Sequence, residues 1–542
     1  LIPLIDATFR HVRCCKKASG CPYSPANASV KIGTARAKSE SVFLDATFRH
    51  VRCCKKASLQ SATSKKTAHR DGESMRVVAT ASTKTLPAYA PSSRTRRSKS
   101  STSSLAAVPG VGAVMKLFRK TPSYPGIGEP LRGEIFDRGC VYLDYNATTP
   151  IWPEVAAEMA PFLFEHFGNP SSGHAFATPC RDAVALARRR VAAMLGCKDD
   201  EVVFTSCGSE SDNFAIDGAV RAWRAKRRGT SSDAKPKVVA TAIEHPAVIE
   251  HLKAKAAFGE LTYELVGVDD EGVVRVEDVT RAMEDENVCL VTVMQANNET
   301  GAIQPIAAIA AEAKKRGILI HTDSAQSCGK IPVKVDALNA DMVTIVGHKI
   351  GAPKGVAALY IREGTDLGGA KPFYGGGQES GRRAGTENVL HIVGLGKACE
   401  IVEREMDACP AHLKAMRDDL QKRLVDALGG PDGSGVRINS PKDDAKRLPN
   451  TLNIGIKGML ASISLMELSG AMAASAGAAC HTGDVAAAAG GAATVSSVLE
   501  AMAVPMDYAV GTLRLSVGRH TTPKDVEMGA ALLIEAARRQ VK

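Results

Sequence analysis

The amino-acid sequence predicts an α/β protein in which a large, mostly parallel seven-stranded sheet is followed by a smaller C-terminal α+β unit. Two features predict the sheet. Between residues 201 and 361 short apolar runs alternate with helical runs, as crossover connections between parallel strands require. Several of those runs are apolar on successive residues, as in Ile318-Leu319-Ile320, which is how strands covered on both faces read. A third feature predicts the smaller unit: after Asn388 the alternation stops, and a long helical stretch leads into further strands.

In chain order, 141–150 reads as a short strand entering a turn, and 151–167 as a helix ending near Gly168. An Ala/Arg-rich helix at 182–195 is closed by Gly196, a residue suited to a helix C-terminus. Seven strands follow at 201–205, 237–241, 262–266, 289–294, 318–322, 342–346 and 357–361. Helices fall between most of them, at 211–228, 246–258, 276–285 and 305–316. Residues 389–428 read as one long helix, with strands of the smaller unit at 436–439, 451–456 and 512–517. The expected domains are 140–388 and 389–542, preceded by a basic disordered extension over 1–128.

The 69 Lys/Arg and 58 Asp/Glu are unevenly spread. Residues 1–128 hold 23 basic and 5 acidic side chains, net +18, leaving 46 and 53, net −7, for 129–542. The larger part gives no compositional reason to expect nucleic acid. The 14 cysteines are scattered without a C-x-x-C pair and read as reduced thiols of an intracellular protein, neither a disulfide framework nor a metal array. No apolar run reaches the roughly eighteen residues of a membrane span.

The front of the chain stands apart. It opens on Leu1 rather than Met, as a fragment or an extended gene model would. The string over 6–19 recurs unchanged over 45–58. Two copies cannot stack into a core, so duplication or translated non-coding sequence accounts for them better than a small metal- or nucleic-acid-binding motif. Residues 75–128 contain no acid and are rich in Ser, Thr, Ala and basic side chains. That composition fits a mitochondrial or plastid transit peptide, and fits an unaddressed linker equally well. A cytoplasmic location is expected without such an address.

Open parallel sheets bind ligands beyond the carboxyl ends of their strands, and here those ends carry unusual polar groups. The run at 318–322 leads directly into Asp323, and the one at 342–346 into Gly347-His348-Lys349. The strand at 201–205 continues through Ser206-Cys207-Gly208-Ser209 into a helix, whose first N–H groups form an anion site. Another ends in Asn297-Asn298-Glu299-Thr300-Gly301. A lysine amine, a buried carboxylate, a helix-start cradle and a ring to stack are the parts of a pyridoxal-phosphate (PLP) site. The lysine holds the cofactor covalently, and the carboxylate keeps its ring nitrogen protonated. Alone, Lys349 reads as a surface lysine and Asp323 as a helix cap; their joint placement at successive strand ends reads as a site.

The motifs resemble fold-type-I, class-V aminotransferase-like PLP enzymes, specifically the cysteine desulfurases and selenocysteine lyases. The matching strings are LDYNATTP at 143–150, GNPSS at 168–172, ESDN at 210–213, EHPAV at 244–248, NNETG at 297–301 and HTDSAQ at 321–326. They continue with GHK at 347–349, GGGQESGRRAGTEN at 375–388, RLPNT at 447–451, SAGAACH at 475–481 and LRLSVGR at 513–519. The resemblance implies that Lys349 carries the cofactor, Asp323 pairs with its ring nitrogen, Gln326 meets its phenolic oxygen and His245 stacks on its ring. Gly208, Ser209 and His348 are implied to hold its phosphate, with Thr386 reaching in from the second subunit of a homodimer. Asn298 and Arg514 are implied to clamp the substrate carboxylate, a bidentate role that suits arginine.

By the same resemblance Cys480 is the nucleophile that takes sulfur or selenium, in a glycine-broken segment that reads as a mobile loop. His245 is a candidate proton shuttle beside it. TIVGHK at 344–349, RLPNT, GAACH and LRLSVGR resemble selenocysteine lyase most closely, so the first expectation is L-selenocysteine to L-alanine, with selenium passed to a reductant or acceptor protein. Pro246, where familiar animal lyases carry an acid, cuts against this. The alternative is a cysteine desulfurase that leaves a persulfide on Cys480 for iron–sulfur cluster or thio-cofactor supply. No metal, nucleic acid or membrane partner is expected.

Overall fold

The computed structural model describes residues 139–228, 233–430, 432–476 and 495–541. The duplicated string, the 75–128 segment and Cys480 lie outside the described residues.

The large sheet contains seven strands: β2 (Val202–Thr205), β3 (Lys237–Thr241), β4 (Thr262–Val266), β5 (Val288–Thr292), β6 (Leu319–Asp323), β7 (Met342–Val346) and β8 (Ala357–Ile361). Their spatial order is β2-β8-β7-β6-β5-β3-β4. Only β8 runs against its neighbours, so β2 points the same way as β3 to β7. The protein is thus α/β with a mostly parallel seven-stranded sheet, as the sequence predicts.

Both faces of the inner strands are covered, which explains their near-continuous apolar runs, while the edge strand β4 is largely exposed. Val202, Phe204, Val239, Val343 and Ile345 face one core, shared with helices α1 (Thr178–Leu195) and α4 (Val389–Arg404). Val203, Val238, Ala240, Met342 and Leu359 face another, under α2 (Gly208–Lys226) and α3 (Pro246–Ala257). The helices α1 and α4 pack so closely that a Cβ on Gly396 would lie 2.5 Å from Ala187 Cα. No larger residue fits there without separating the helices.

The smaller unit is a three-stranded antiparallel sheet in the order β12 (Thr512–Ser516), β10 (Thr451–Ile456), β9 (Val436–Ile438). It is covered by α5 (Ala408–Leu428) and α6 (Pro523–Gln540). The strand β1 (Val141–Tyr142) pairs in parallel with β11 (Met472–Ala473), and Val141 and Leu143 enter this second core. The first described strand therefore packs with the C-terminal unit. A two-residue strand carries too little periodicity to reveal its partner.

Two helical expectations are corrected. The stretch 389–428 is two helices, α4 and α5, separated at 405–407. Pro410, in the first turn of α5, lacks the N–H that would continue a helix through 406. The chain passes there from the first core, which holds Ile401 and Val402, to the second, which holds Cys409 and Leu413. The helix expected at 151–167 is Pro153–Met159 and Pro161–Phe164, restarted at Pro161 for the same reason. Among the described residues no helix is long and apolar enough to cross a membrane.

Candidate active site

Because β2, β3, β5, β6 and β7 point the same way, the residues following them meet along one edge of the sheet. The strand β7 runs into a tight turn, Gly347–Lys349, whose Gly347 N–H is held by Val356 O at 3.1 Å. This turn brings Lys349 Nζ to the carbonyls of Asn146 (2.6 Å) and Ala147 (2.9 Å). Gln326 Nε2 donates to the same Asn146 carbonyl at 2.9 Å, so the amine and the carboxamide converge on one oxygen.

Asp323 ends β6 and is buried. Burial pushes its carboxyl up, against the Ala325 N–H on Oδ1 (2.8 Å) and the charge of Lys349. Behind it, His321 is wedged between Thr292 Oγ1 (2.8 Å) and Thr344 Oγ1 (3.0 Å). Burial lowers its pKa to about 3, so the ring is neutral. Asp212, on α2, lies 3.6 Å from His321 Nε2. Burial, reinforced by Asp323, pushes its carboxyl well above the usual range.

At the start of α2 the cap residue Cys207 is extended and makes no side-chain capping bond. The leading N–H groups of Gly208 and Ser209 therefore have no intrahelical acceptor. A Cβ on Gly208 would lie 2.8 Å from Val346 Cγ2, so the backbone approaches β7 as only glycine can. Next to this cradle, His348 Nδ1 is 3.1 Å from Thr148 Oγ1. Burial first, then Lys349, Lys354 and His245, lower the His348 pKa to about 4.

His245 caps α3, and its Nδ1 accepts from Ala247 N at 3.1 Å, which leaves the proton of a neutral ring on Nε2. The preceding Glu244 is buried, with both oxygens accepting from Met294 N at 3.0 Å; burial raises its pKa to about 8. Asn297 Oδ1 gathers the N–H groups of Glu299 and Thr300, each at 2.9 Å, and so fixes the loop carrying Asn298.

Arg514, on β12, is 1% exposed. Its Nη1 donates to Asn298 O (3.3 Å) and its Nη2 to Asp144 Oδ1 (2.8 Å) and Ser475 Oγ (3.1 Å). Its Nε has no hydrogen-bond partner among the described residues. A buried N–H of a permanent cation without an acceptor is costly, and an anion placed there satisfies it.

Thr386 is exposed on the loop before α4. That loop is pinned at its base. Glu379 takes a bidentate pair from Arg188 (2.8 and 2.7 Å) and the Phe204 N–H (2.9 Å), and Arg383 donates to Glu210 at 2.8 Å. The sequence reading missed the centre of the site. Asn146 touches Ser516, Asn298, Thr451 and Asn450 besides Lys349 and Gln326. Asp144, Lys330, Glu244, Asp212 and His321 were missed as well. Asp144 and Asn146 sit inside LDYNATTP, so a polar run after a two-residue strand was the available signal.

The class-V aminotransferase profile matches residues 141–528. The chain belongs to that family. It is 39% identical over 401 residues to a cysteine desulfurase of Trichormus azollae, covering 74% of this chain and 93% of that one. A solved NifS-like protein superposes with a TM-score of 0.63 at 32% identity, covering 74% of this chain and all of the other. SspA, solved in complex with cysteine, superposes with a TM-score of 0.59 at 29% identity, covering 70% of this chain and all of that one. The class-V chain is thus a PLP-dependent enzyme of the cysteine-desulfurase group. The expected closeness to selenocysteine lyase is overturned, because the relatives are cysteine desulfurases and NifS-like proteins. TIVGHK and LRLSVGR hold Lys349 and Arg514, which the resemblance assigns to the cofactor and the substrate carboxylate, groups common to both activities.

The residues present fit the cofactor of this family. The glycine-only approach at Gly208 leaves backbone N–H groups for a phosphate, and the buried Asp323 carboxylate lies within the field of the Lys349 amine.

Proposed function

We propose that the chain is a cysteine desulfurase that converts L-cysteine to L-alanine and retains the sulfur as a persulfide on Cys480. The observation that carries the amino-acid part is Arg514, a buried guanidinium with an unsatisfied Nε beside Asn298. The sulfur part rests on the relatives and on the cysteine bound to SspA.

Lys349, Asp323, Gln326 and His245 would hold the cofactor ring, and Gly208, Ser209 and His348 its phosphate. A neutral His348 would donate to the phosphate without adding a buried charge. When bound, PLP supplies an electron sink for the charge left on the substrate α-carbon. Arg514 and Asn298 orient the substrate carboxylate so that the α-hydrogen faces Lys349 Nζ, which takes the proton. The Cys480 thiolate attacks the substrate sulfur. A sulfur–sulfur bond forms, the carbon–sulfur bond breaks, and its electron pair stays on carbon, which takes a proton to become the alanine methyl, while Lys349 returns the α-proton to the α-carbon. His245 Nε2 is the group that moves a proton on the sulfur side. The persulfide then passes to an acceptor thiol.

A homodimer is part of this reading. Leu163, Phe164, Phe167 and Phe176 are 59–78% exposed, an apolar surface that a second copy would cover, and Thr386 then enters the neighbouring site. The test is alanine release from L-cysteine with alkylation of the enzyme after turnover. Wild type is expected to carry the persulfide on Cys480, and Cys480→Ala to release no alanine. A Cys480→Ala enzyme at the wild-type rate refutes the assignment.

A further inference from the structure

Lys330 has no part in the chemistry above, yet it lies inside the site's framework. It is 5% exposed and its Nζ donates to Gln326 Oε1 at 2.7 Å. The other end of that carboxamide, Nε2, donates to Asn146 O, the carbonyl that also holds Lys349 Nζ. A carboxamide has two nearly isosteric ends and can be held either way round. An ammonium only donates, so whatever it touches must be an oxygen.

We infer that Lys330 is a positioning residue: it locks the Gln326 carboxamide so that its NH2 end faces Lys349 and the cofactor. This rests on the proposed role of Gln326 beside the phenolic oxygen. With the amide locked, the oxygen always meets a donor. With the amide flipped, a carbonyl oxygen is set against an oxygen that carries negative charge. The lock belongs to the ammonium form: burial, then Lys349 and more weakly Arg514, lower the Lys330 pKa to about 7, so it holds below that pH and loosens above it, where the neutral amine can also accept. Among the described residues the other titratable groups about it are the Cys328 and Cys409 thiols and the Tyr145 phenol, with Arg519 lining the same small cavity. A purely structural role would be met as well by an apolar side chain in this pocket of Tyr145, Trp152, Ile350 and Leu413.

The test uses the full-length holoenzyme with Lys330→Met and Lys330→Gln, alone and in a Gln326→Ala background. Methionine removes the donor; glutamine keeps a hydrogen bond but accepts as readily as it donates, so it no longer dictates the orientation. The readout is the pH at which the cofactor chromophore changes colour. Donation to the phenolic oxygen favours the deprotonated chromophore, so both single variants are expected to raise that pH by about one unit. Cofactor release should also quicken, with unfolding temperature unchanged or higher. In Gln326→Ala the same Lys330 changes should add no further shift. An unshifted chromophore in Lys330→Met, or a full shift persisting without Gln326, overturns the inference. Lys349→Ala distinguishes this from failure of the underlying reading: a wild-type chromophore surviving in that variant overturns the cofactor assignment itself.

Discussion

Replacing Gly208 by alanine tests the helix-start cradle quantitatively. The new Cβ would lie 2.8 Å from Val346 Cγ2, whereas relaxed carbon contacts are about 3.5–4.0 Å apart. Val346 is 5% exposed on β7, and a β-branched side chain has little rotamer freedom with which to yield. The strain therefore moves the start of α2 by roughly 0.7 Å. Such a shift takes the Gly208 and Ser209 N–H groups out of line with a phosphate. Losing one charge-assisted hydrogen bond costs about 1.5–3 kcal/mol, or roughly ten- to hundredfold in the cofactor dissociation constant. The assay is spectral titration of the apoprotein with PLP. Val346→Ala removes the colliding methyl, so the double variant should recover most of the wild-type affinity, while Val346→Ala alone leaves it nearly unchanged. Wild-type affinity in Gly208→Ala, or no recovery in the double variant, refutes the cradle.

Three further outcomes follow from the same geometry. Arg514→Lys keeps the charge but loses the planar fork and should lower kcat/KM for L-cysteine by about a hundredfold or more; a change under threefold excludes Arg514 as the carboxylate clamp. Glu379→Ala leaves Arg188 unpaired and the Phe204 N–H unsatisfied, which should cost about 3–5 kcal/mol in urea unfolding and weaken cofactor binding through the loop that carries Thr386. His321 and His348 have folded pKa values of about 3 and about 4, below the ordinary 6.5. The unfolded chain therefore binds more protons in that interval, so their contribution is complete above pH 6.5 and is lost as pH falls toward 4 and 3. The acid limb of apoprotein stability should flatten in His348→Asn; an unchanged slope contradicts a neutral buried ring.

The sequence by itself determined the sheet, because strands covered on both faces must be apolar throughout, and Val202–Thr205 and Met342–Val346 are buried along their whole length. It also determined which residues end those strands. Lys349, Asp323 and Gly208 each follow an apolar run, and a polar or glycine residue after such a run is a local signal. Helix ends were less legible, although Pro161 and Pro410 were present to mark them. Residues 151–167 and 389–428 kept their helical composition across both breaks, and composition does not register one missing N–H.

Only the tertiary structure decided what joins these parts. Asn146 collects contacts from segments 152 to 370 residues away in sequence, which no periodicity encodes. Lys330 reads as one polar residue after a glycine until burial places its ammonium on Gln326. The assignment of Val141 and Leu143 to the C-terminal core likewise depends on the pairing of β1 with β11. Local sequence sets the period of burial and the chemistry at each strand end. Which distant groups meet there, with which atom facing which, follows from packing the chain back on itself.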